Sequence, residues 1–411
     1  MKFIHAADLH LDSPLRGLMK YEGAPVEQMQ TATRRAFVNL IDFAIQQAVD
    51  FVLLAGDLYD VDWKDYNTGL FFNQQMARLR EAGIPVFIIY GNHDADSVIT
   101  KKLTLPDNVT EFSSQQPETV LLEKLKVAIH GQSFATKAVT DDLSKNYPAP
   151  VTGYFNIGLL HTALNGREHH ATYAPCSLND LQSHGYDYWA LGHVHTYEVL
   201  HENPWIVFPG NLQGRHVKET GEKGCVLVDV TNGVATVTRQ TFDVLRWEVC
   251  TLDLSELSEI DEVLDHVRAY IVRYLPTNPD QLVALRFKLT GKSKLHSQLH
   301  NDPERWTNEI RAVATDVGSQ QIWVEKIGLY TQPMNPMNLE DSPLGDLVQT
   351  LRDMPQDDEV IEKLAAEFRS LKNTLPTEAR LDDAGIDPEH PDTIKHLLNG
   401  VEELLLARLL A

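Results

Sequence analysis

Cysteine is scarce in this chain of 411 residues: Cys176, Cys225 and Cys250 are too few and too widely spaced for a disulfide framework. None belongs to a CxxC pair, which excludes a thiolate zinc site. No apolar run approaches the ~20 residues that a membrane-spanning helix needs, and no amphipathic, arginine-rich leader opens the sequence. The first apolar run already carries Asp8 and His10, which removal of a signal peptide would discard. Together these absences predict a reducing, cytoplasmic setting without membrane association. Basic residues are also short. Lys and Arg number 36 against 58 Asp and Glu, a formal net charge of −22. A stand-alone nucleic-acid binder ordinarily has the opposite balance.

The remaining composition, 43% hydrophobic and 23% charged, is that of a soluble globular protein, and the length suits two or three domains. Residues 1–100 read as β-α-β-α-β. Phe37, Leu40, Ile41, Ala44, Ile45 and Ala48 fall at helical spacing within 26–49, and a second helix is expected around 69–82. Strands alternating with helices predict a parallel sheet, in which functional groups gather at the carboxyl ends of the strands. Further strands are expected near 126–129, 155–160, 188–191, 205–208, 225–230 and 234–241. A second region, 249–330, repeats helix and strand and reads as a small α+β domain. The Pro- and Asn-rich segment 331–343 reads as a linker, and 344–411 as a helical tail with apolar stripes.

Five apolar runs end in polar groups able to bind a metal: "FIHAADLHLD" (3–12), "FVLLAGDLYD" (51–60), "PVFIIYGNHD" (85–94), "NIGLLHT" (156–162) and "YWALGHVHT" (188–196). The candidates are Asp8, His10, Asp57, Asn92, His93, His161, His193 and His195. A single Asp after "LLAG" is ordinarily a helix cap, and a single His in an apolar strand is ordinarily a hydrogen-bonded core residue. Five such endings together are hard to reach by chance. Imidazole, carboxylate and amide oxygen without thiolate suit manganese, iron or zinc in a reactive site. If D-x-H and H-x-H continue their strands, the side-chain period of two places both members on one face.

The order D-x-H, G-D-x-x-D, G-N-H-D, H, G-H-x-H resembles the calcineurin-like metallophosphoesterase family, with matching motifs from Asp8 to His195. The resemblance implies an α/β fold with a β-sandwich core flanked by helices, occupying 1–248, and two divalent metal ions. Mn2+ is expected first, with Fe2+ or Zn2+ as alternatives. By motif position Asp8, His10, Asp57 and His195 would hold one metal, and Asp57, Asn92, His161 and His193 the other, with Asp57 bridging. His93 would protonate the leaving oxygen or stabilise phosphoryl charge, and Asp94 would orient His93.

Within the family the resemblance is to the DNA-repair exonuclease branch of SbcD- and YhaO-like nuclease subunits. It is carried by "HAADLHLDSPLRGL" (5–18), "GDLYD" (56–60), "YWALGHVHTYEVL" (188–200) and "FPGNLQGRHVKETGEKGCVLVDV" (208–230). It implies DNA as substrate, a homodimer, region 249–330 as a domain capping the active site, and the tail as the dock for an SMC-like ATPase. Some nucleases of this branch have a histidine where this chain has Asp60, which predicts less help for His93. In the loop 210–224, Arg215, His216, Lys218 and Lys223 are candidate phosphate contacts. His169 and His170 are expected on a surface loop within 165–175. The competing reading is a phosphatase or phosphodiesterase acting on small-molecule or protein phosphoesters. Phosphoprotein phosphatases of the family typically show G-N-H-E and an Arg after the G-D motif, whereas this chain has "GNHD" and "GDLYDVD".

Overall fold

The computed structural model describes residues 1–13, 24–60, 66–95, 104–164, 173–275, 281–334 and 347–374 apart from 348 and 352, then 391, 394–395, 397–398 and 401. The predicted histidine loop at 165–172 and most of the predicted tail lie outside the described residues. The described residues divide into two compact units, the first of 1–13 and 27–247 and the second of 24–26 and those from 248 onward.

In the first unit β1 (Lys2–Ala6), α1 (Val26–Gln46), β2 (Phe51–Ala55), α2 (Tyr66–Glu81) and β3 (Val86–Ile89) alternate, followed by α3 (Asn92–Ala95) and β4 (Val109–Glu111). Strands β1 to β4 pair in parallel, as the alternation predicts. A second sheet holds β5 (Glu118–Leu122), β6 (Val127–Gly131), β7 (Phe155–His161), β8 (Tyr188–Gly192), β9 (Glu198–Glu202) and β10 (Trp205–Phe208), in the order β5-β6-β7-β8-β10-β9; α4 (Leu178–Ser183) precedes β8. The chain then returns to the first sheet, where β11 (Gly224–Thr231) pairs antiparallel with β1 and β12 (Val234–Thr241) closes the edge.

The two sheets enclose one core. Phe3, Phe51, Leu53 and Phe87 of the first sheet meet Ile129, Ile157, Tyr188 and Val207 of the second. Phe3 stacks on Phe51 at 4.9 Å and meets Tyr188 edge-on at 5.4 Å. On the outer face of the first sheet, Ile4, Val52 and Leu54 pack against Phe37 and Leu40 of α1 and Phe72 and Met76 of α2. The run "FVLLA" of β2 is continuous rather than alternating because both of its faces are covered. Trp189 and Leu160 are buried on the outer face of the second sheet, with Leu181 of α4. His5, fully buried in β1, joins the sheets through the Tyr188 hydroxyl and the Leu191 carbonyl, each at 3.0 Å.

The second unit contains β13 (Leu245–Asp253), α5 (Ile260–Tyr274), β14 (Leu282–Ser293), α6 (His296–Asn301), α7 (Pro303–Gly318) and β15 (Ile322–Pro333), with the sheet ordered β13-β14-β15. Helix α5 begins with a Glu259/Glu262 capping box, and α7 begins with Pro303 directly after the Asp302 cap. Val267, Ile271, Phe287, Trp306 and Ile310 share its core. Residues 331–333, whose composition suggests the opening of a linker, instead pair with Gly291, Lys292 and Ser293 and complete β15, and Thr331 is fully buried. Farther on, α8 (Asp358–Thr374) is helical. Among the described residues no helix is long and apolar enough to cross a membrane.

Candidate active site

The five polar endings converge. Asp8 and His10 follow β1, Asp57 follows β2, Asn92 and His93 follow β3, His161 ends β7, and His193 and His195 follow β8. All are carboxyl ends of parallel strands, where a doubly covered sheet exposes chemistry. Strand alternation does not place the i, i+2 pairs, however. Both pairs lie beyond their strands, in turns where Asp8, His10, Asp57 and His193 have φ of 51°, 42°, 52° and 102°. Left-handed backbone at four non-glycine residues costs energy, and the surrounding structure holds it in place. The amides of Asp8, His10 and Leu11 donate to the carbonyls of Gly56, Asp57 and Leu58, each at 3.0 Å, so the two turns run side by side.

Glycines let the ligands come this close. A Cβ on Gly91 would lie 2.3 Å from Asp57 Oδ1, and one on Gly192 would lie 1.8 Å from the Ala55 carbonyl oxygen. Neither position can carry a side chain without displacing the site.

Three groups of metal-capable side chains stand here, one of them His10, Asp60 and His93. In a second, Asp8, His10 and His195 bring their donor atoms within 4.8 Å of one another. His10 Nδ1 donates to Asp60 Oδ1 at 2.9 Å, and His195 Nδ1 donates to Glu219 Oε1 at 2.7 Å. Ionised carboxylates are acceptors only, so both rings carry a proton on Nδ1, and in a neutral imidazole Nε2 then has the lone pair. Those two Nε2 atoms face each other at 3.1 Å. The third comprises Asp57, His161 and His193. His161 Nδ1 donates to the Ala55 carbonyl at 2.8 Å, which turns Nε2 toward Asn92 Oδ1 at 3.1 Å and Asp57 Oδ2 at 3.5 Å. Asp57 Oδ2 also lies 3.9 Å from His10 Nε2 and therefore stands between the clusters. The donor set of imidazole, carboxylate and amide oxygen fits divalent metal.

The electrostatics agree. Burial raises the Asp8 carboxyl to about 6, with nearby histidines opposing the shift. Burial lowers His10 to about 4. Burial also acts to lower His161, but the charge and contact of Asp57 outweigh it and push that imidazole up to about 9. A site that binds a proton so strongly at His161 has an unmet demand for positive charge.

His93 sits beside the other two groups. Its amide donates to Asp57 Oδ1 at 2.9 Å, and its Nδ1 lies 2.9 Å from Asp60 Oδ1. Burial lowers its pKa, but the Asp60 contact and the charge of Asp57 more than compensate, leaving it above the ordinary value. Asp94, expected to orient this ring, also holds neighbouring backbone. Asp94 accepts from the amides of Leu58, Tyr59 and Gly91 at 2.9–3.0 Å and thereby fixes the loops. Asp60 is the carboxylate at His93. It meets His10 Nδ1 as well, at 2.9 Å.

The expected phosphate contacts separate into two kinds. His216 is half-buried and Lys218 exposed. Arg215 and Lys223 turn inward. The Arg215 guanidinium lies on Glu219 and Asp60, and Lys223 Nζ donates to the His195 carbonyl at 2.7 Å. A cation removed from water needs such partners, and both residues have them within the protein. Glu219 escaped the sequence reading, because a carboxylate within "KETGEK" reads as solvated surface.

Comparison with known proteins matches residues 1–197 to the family described as calcineurin-like phosphoesterase, and residues 247–332 to the one described as metallophosphoesterase YhaO, middle domain. The uncharacterized metallophosphoesterase YhaO of Bacillus subtilis is 40% identical over 272 residues, covering 65% of this chain and 66% of that protein, just under two thirds of its length. The DNA double-strand break repair protein Mre11 of Sulfurisphaera tokodaii is 25% identical over 305 residues, covering 71% of this chain and 74% of that protein. Its namesake in Methanopyrus kandleri is 25% identical over 233 residues, covering 51% of this chain and 48% of that protein. With its His and Asp clusters at the strand ends and a YhaO-type domain after them, the chain belongs to the calcineurin-like metallophosphoesterases.

Proposed function

We propose that this phosphoesterase is a two-metal DNA phosphodiesterase, the nuclease subunit of an assembly with an SMC-like ATPase, and that manganese is its working metal. The observation that carries the reading is Asp57, standing between two ligand clusters with His93 beside them. DNA as substrate is supported by the similarity to Mre11, whose 305 aligned residues exceed the 235 of the first unit. The role of the tail as partner dock, and assembly as a homodimer, belong to the same proposal.

Asp8, His10 and His195 would hold one cation, and Asn92, His161 and His193 the other, with Asp57 common to both. Divalent ions there supply Lewis-acid activation of water and neutralise phosphoryl charge. The protein's own part is positioning. The turns after β1 and β2 lock Asp8 and Asp57 in register. His93, with Nδ1 against Asp60, presents Nε2 as the nitrogen that holds a proton for the leaving oxygen. Its side chain is 34% exposed, enough to meet a substrate.

The test sets the full-length protein with Mn2+ against labelled duplex DNA, a phosphodiester dye and a phosphomonoester dye. Cleavage of DNA and diester, abolished by chelator, is the expected result. Turnover of the monoester with DNA left intact would support the phosphatase reading instead.

A further inference from the structure

The two halves of the metal centre are held by different chemistry. In the Asn92 half, His161 leans on a backbone carbonyl, that of Ala55. In the Asp8 half, both imidazoles lean on buried carboxylates: His10 on Asp60 and His195 on Glu219. One side chain touches both carboxylates. Arg215 Nη2 donates to Glu219 Oε1 at 2.9 Å and Nε to Glu219 Oε2 at 3.4 Å, while Nη1 reaches Asp60 Oδ2 at 3.5 Å. The Arg215 amide also donates to Glu219 Oε2 at 2.7 Å, and Asn211 Nδ2 donates to the same oxygen at 3.0 Å.

We propose that Arg215 is a positioning residue for one half of the metal centre, a clamp that fixes His10 and His195 through Asp60 and Glu219 and leaves the other half untouched. Two buried carboxylates so near each other require a cation, and a guanidinium meets both because its donors point in different directions from one rigid plane. Held in this way, each carboxylate keeps its imidazole in the Nδ1–H tautomer with Nε2 turned to the metal, the arrangement that raises ligand basicity. The Glu219 arm is the shorter and dominates. Lys223, donating to the His195 carbonyl at 2.7 Å, secures the same turn from its other side. The clamp rests on the two-metal reading of the site and is independent of whether DNA is the substrate.

The experiment measures manganese binding to the folded, metal-stripped full chain, for wild type, Glu219→Gln and Arg215→Lys. Far-UV circular dichroism and the metal-free melting midpoint report folding. Glu219→Gln keeps the shape of the side chain, and Arg215→Lys keeps the charge but loses the fork. Wild type is expected to bind two equivalents. In each variant one equivalent should weaken ~10–100-fold, the usual effect of losing a partner behind a ligating histidine, while the other keeps its affinity. A merely structural role would not separate the two. Both equivalents at wild-type affinity in folded Glu219→Gln, or both weakened in parallel, overturns the clamp and leaves the metal reading standing. Wild type that binds no manganese overturns both, and is recognised as such because the failure appears before any substitution.

Discussion

Nε2 of His10 and Nε2 of His195 face each other 3.1 Å apart, while the opposite nitrogen of each ring meets a carboxylate. With both rings neutral, two lone pairs at hydrogen-bond distance repel, and burial of His10 removes the water that would screen them. A proton or a metal ion between them relieves that repulsion. At His161, whose pKa is pushed up to about 9, a proton on Nε2 meets Asn92 Oδ1 and Asp57 Oδ2 where a metal ion would otherwise bind.

Replacing His93 with Ala should separate metal binding from chemistry. Its polar contacts are to Asp57 and Asp60, and its ring meets that of His10 edge-on at 4.8 Å. Metal content should stay at the wild-type level while turnover falls ~10²–10⁴-fold, the range for a positioned acid. A variant that loses metal instead makes His93 a ligand.

Gly192→Ala should damage the site through sterics alone. The new Cβ would lie 1.8 Å from the Ala55 carbonyl oxygen and 2.9 Å from His161 Nδ1, which are themselves hydrogen-bonded to each other. Overpacking against backbone costs about 1–3 kcal/mol, so the urea midpoint should fall and metal affinity with it. An unchanged midpoint contradicts the packing described.

His5 predicts a pH effect. Burial lowers its pKa from 6.5 to about 3. Between those values the unfolded chain takes up a proton that the folded chain refuses. This part of the stability is therefore complete above about 6.5 and is lost as pH falls toward about 3. In metal-free protein, the drop in melting midpoint between pH 7 and 4 should be smaller for His5→Gln than for wild type. Parallel profiles would show that His5 does not carry it.

The net charge of −22 opposes duplex DNA at long range. With Arg215 and Lys223 turned inward, little of the 210–224 loop's charge is left to counter it. The isolated chain should bind duplex weakly and with strong salt dependence, and the ATPase partner should supply most of the affinity. Deleting the residues after about 340 should leave manganese-dependent cleavage of short DNA while abolishing co-elution with that partner. Tight duplex binding by the isolated chain at physiological salt contradicts the charge argument. Undiminished co-elution of the truncated chain contradicts the docking role.

The strands and helices of the first unit were legible because both faces of β2 and the inner stripe of α1 bury apolar side chains, leaving a periodic record. The metal-capable residues were legible as well, since polar groups ending apolar runs stand out. What escaped depends on backbone conformation and on partners distant in sequence. Nothing in "DLHLD" signals that Asp8 and His10 adopt positive φ. Glu219 is 24 residues from the histidine it holds, and Asp60 is 50 from His10. Arg215 and Lys223 looked like surface cations because a buried ion pair and a solvated one have the same composition. The short strands β4, β5 and β9 expose much of their surface and so carry weak apolar patterns.

The central claim is that two cations meet at Asp57, and elemental analysis of the manganese-loaded, gel-filtered full chain tests it most directly. Wild type should carry two metal ions per chain. Asp57→Asn, which keeps the shape but removes the shared charge, should lose at least one of them together with phosphodiester turnover. Two ions and normal turnover in the Asp57→Asn protein would contradict the account.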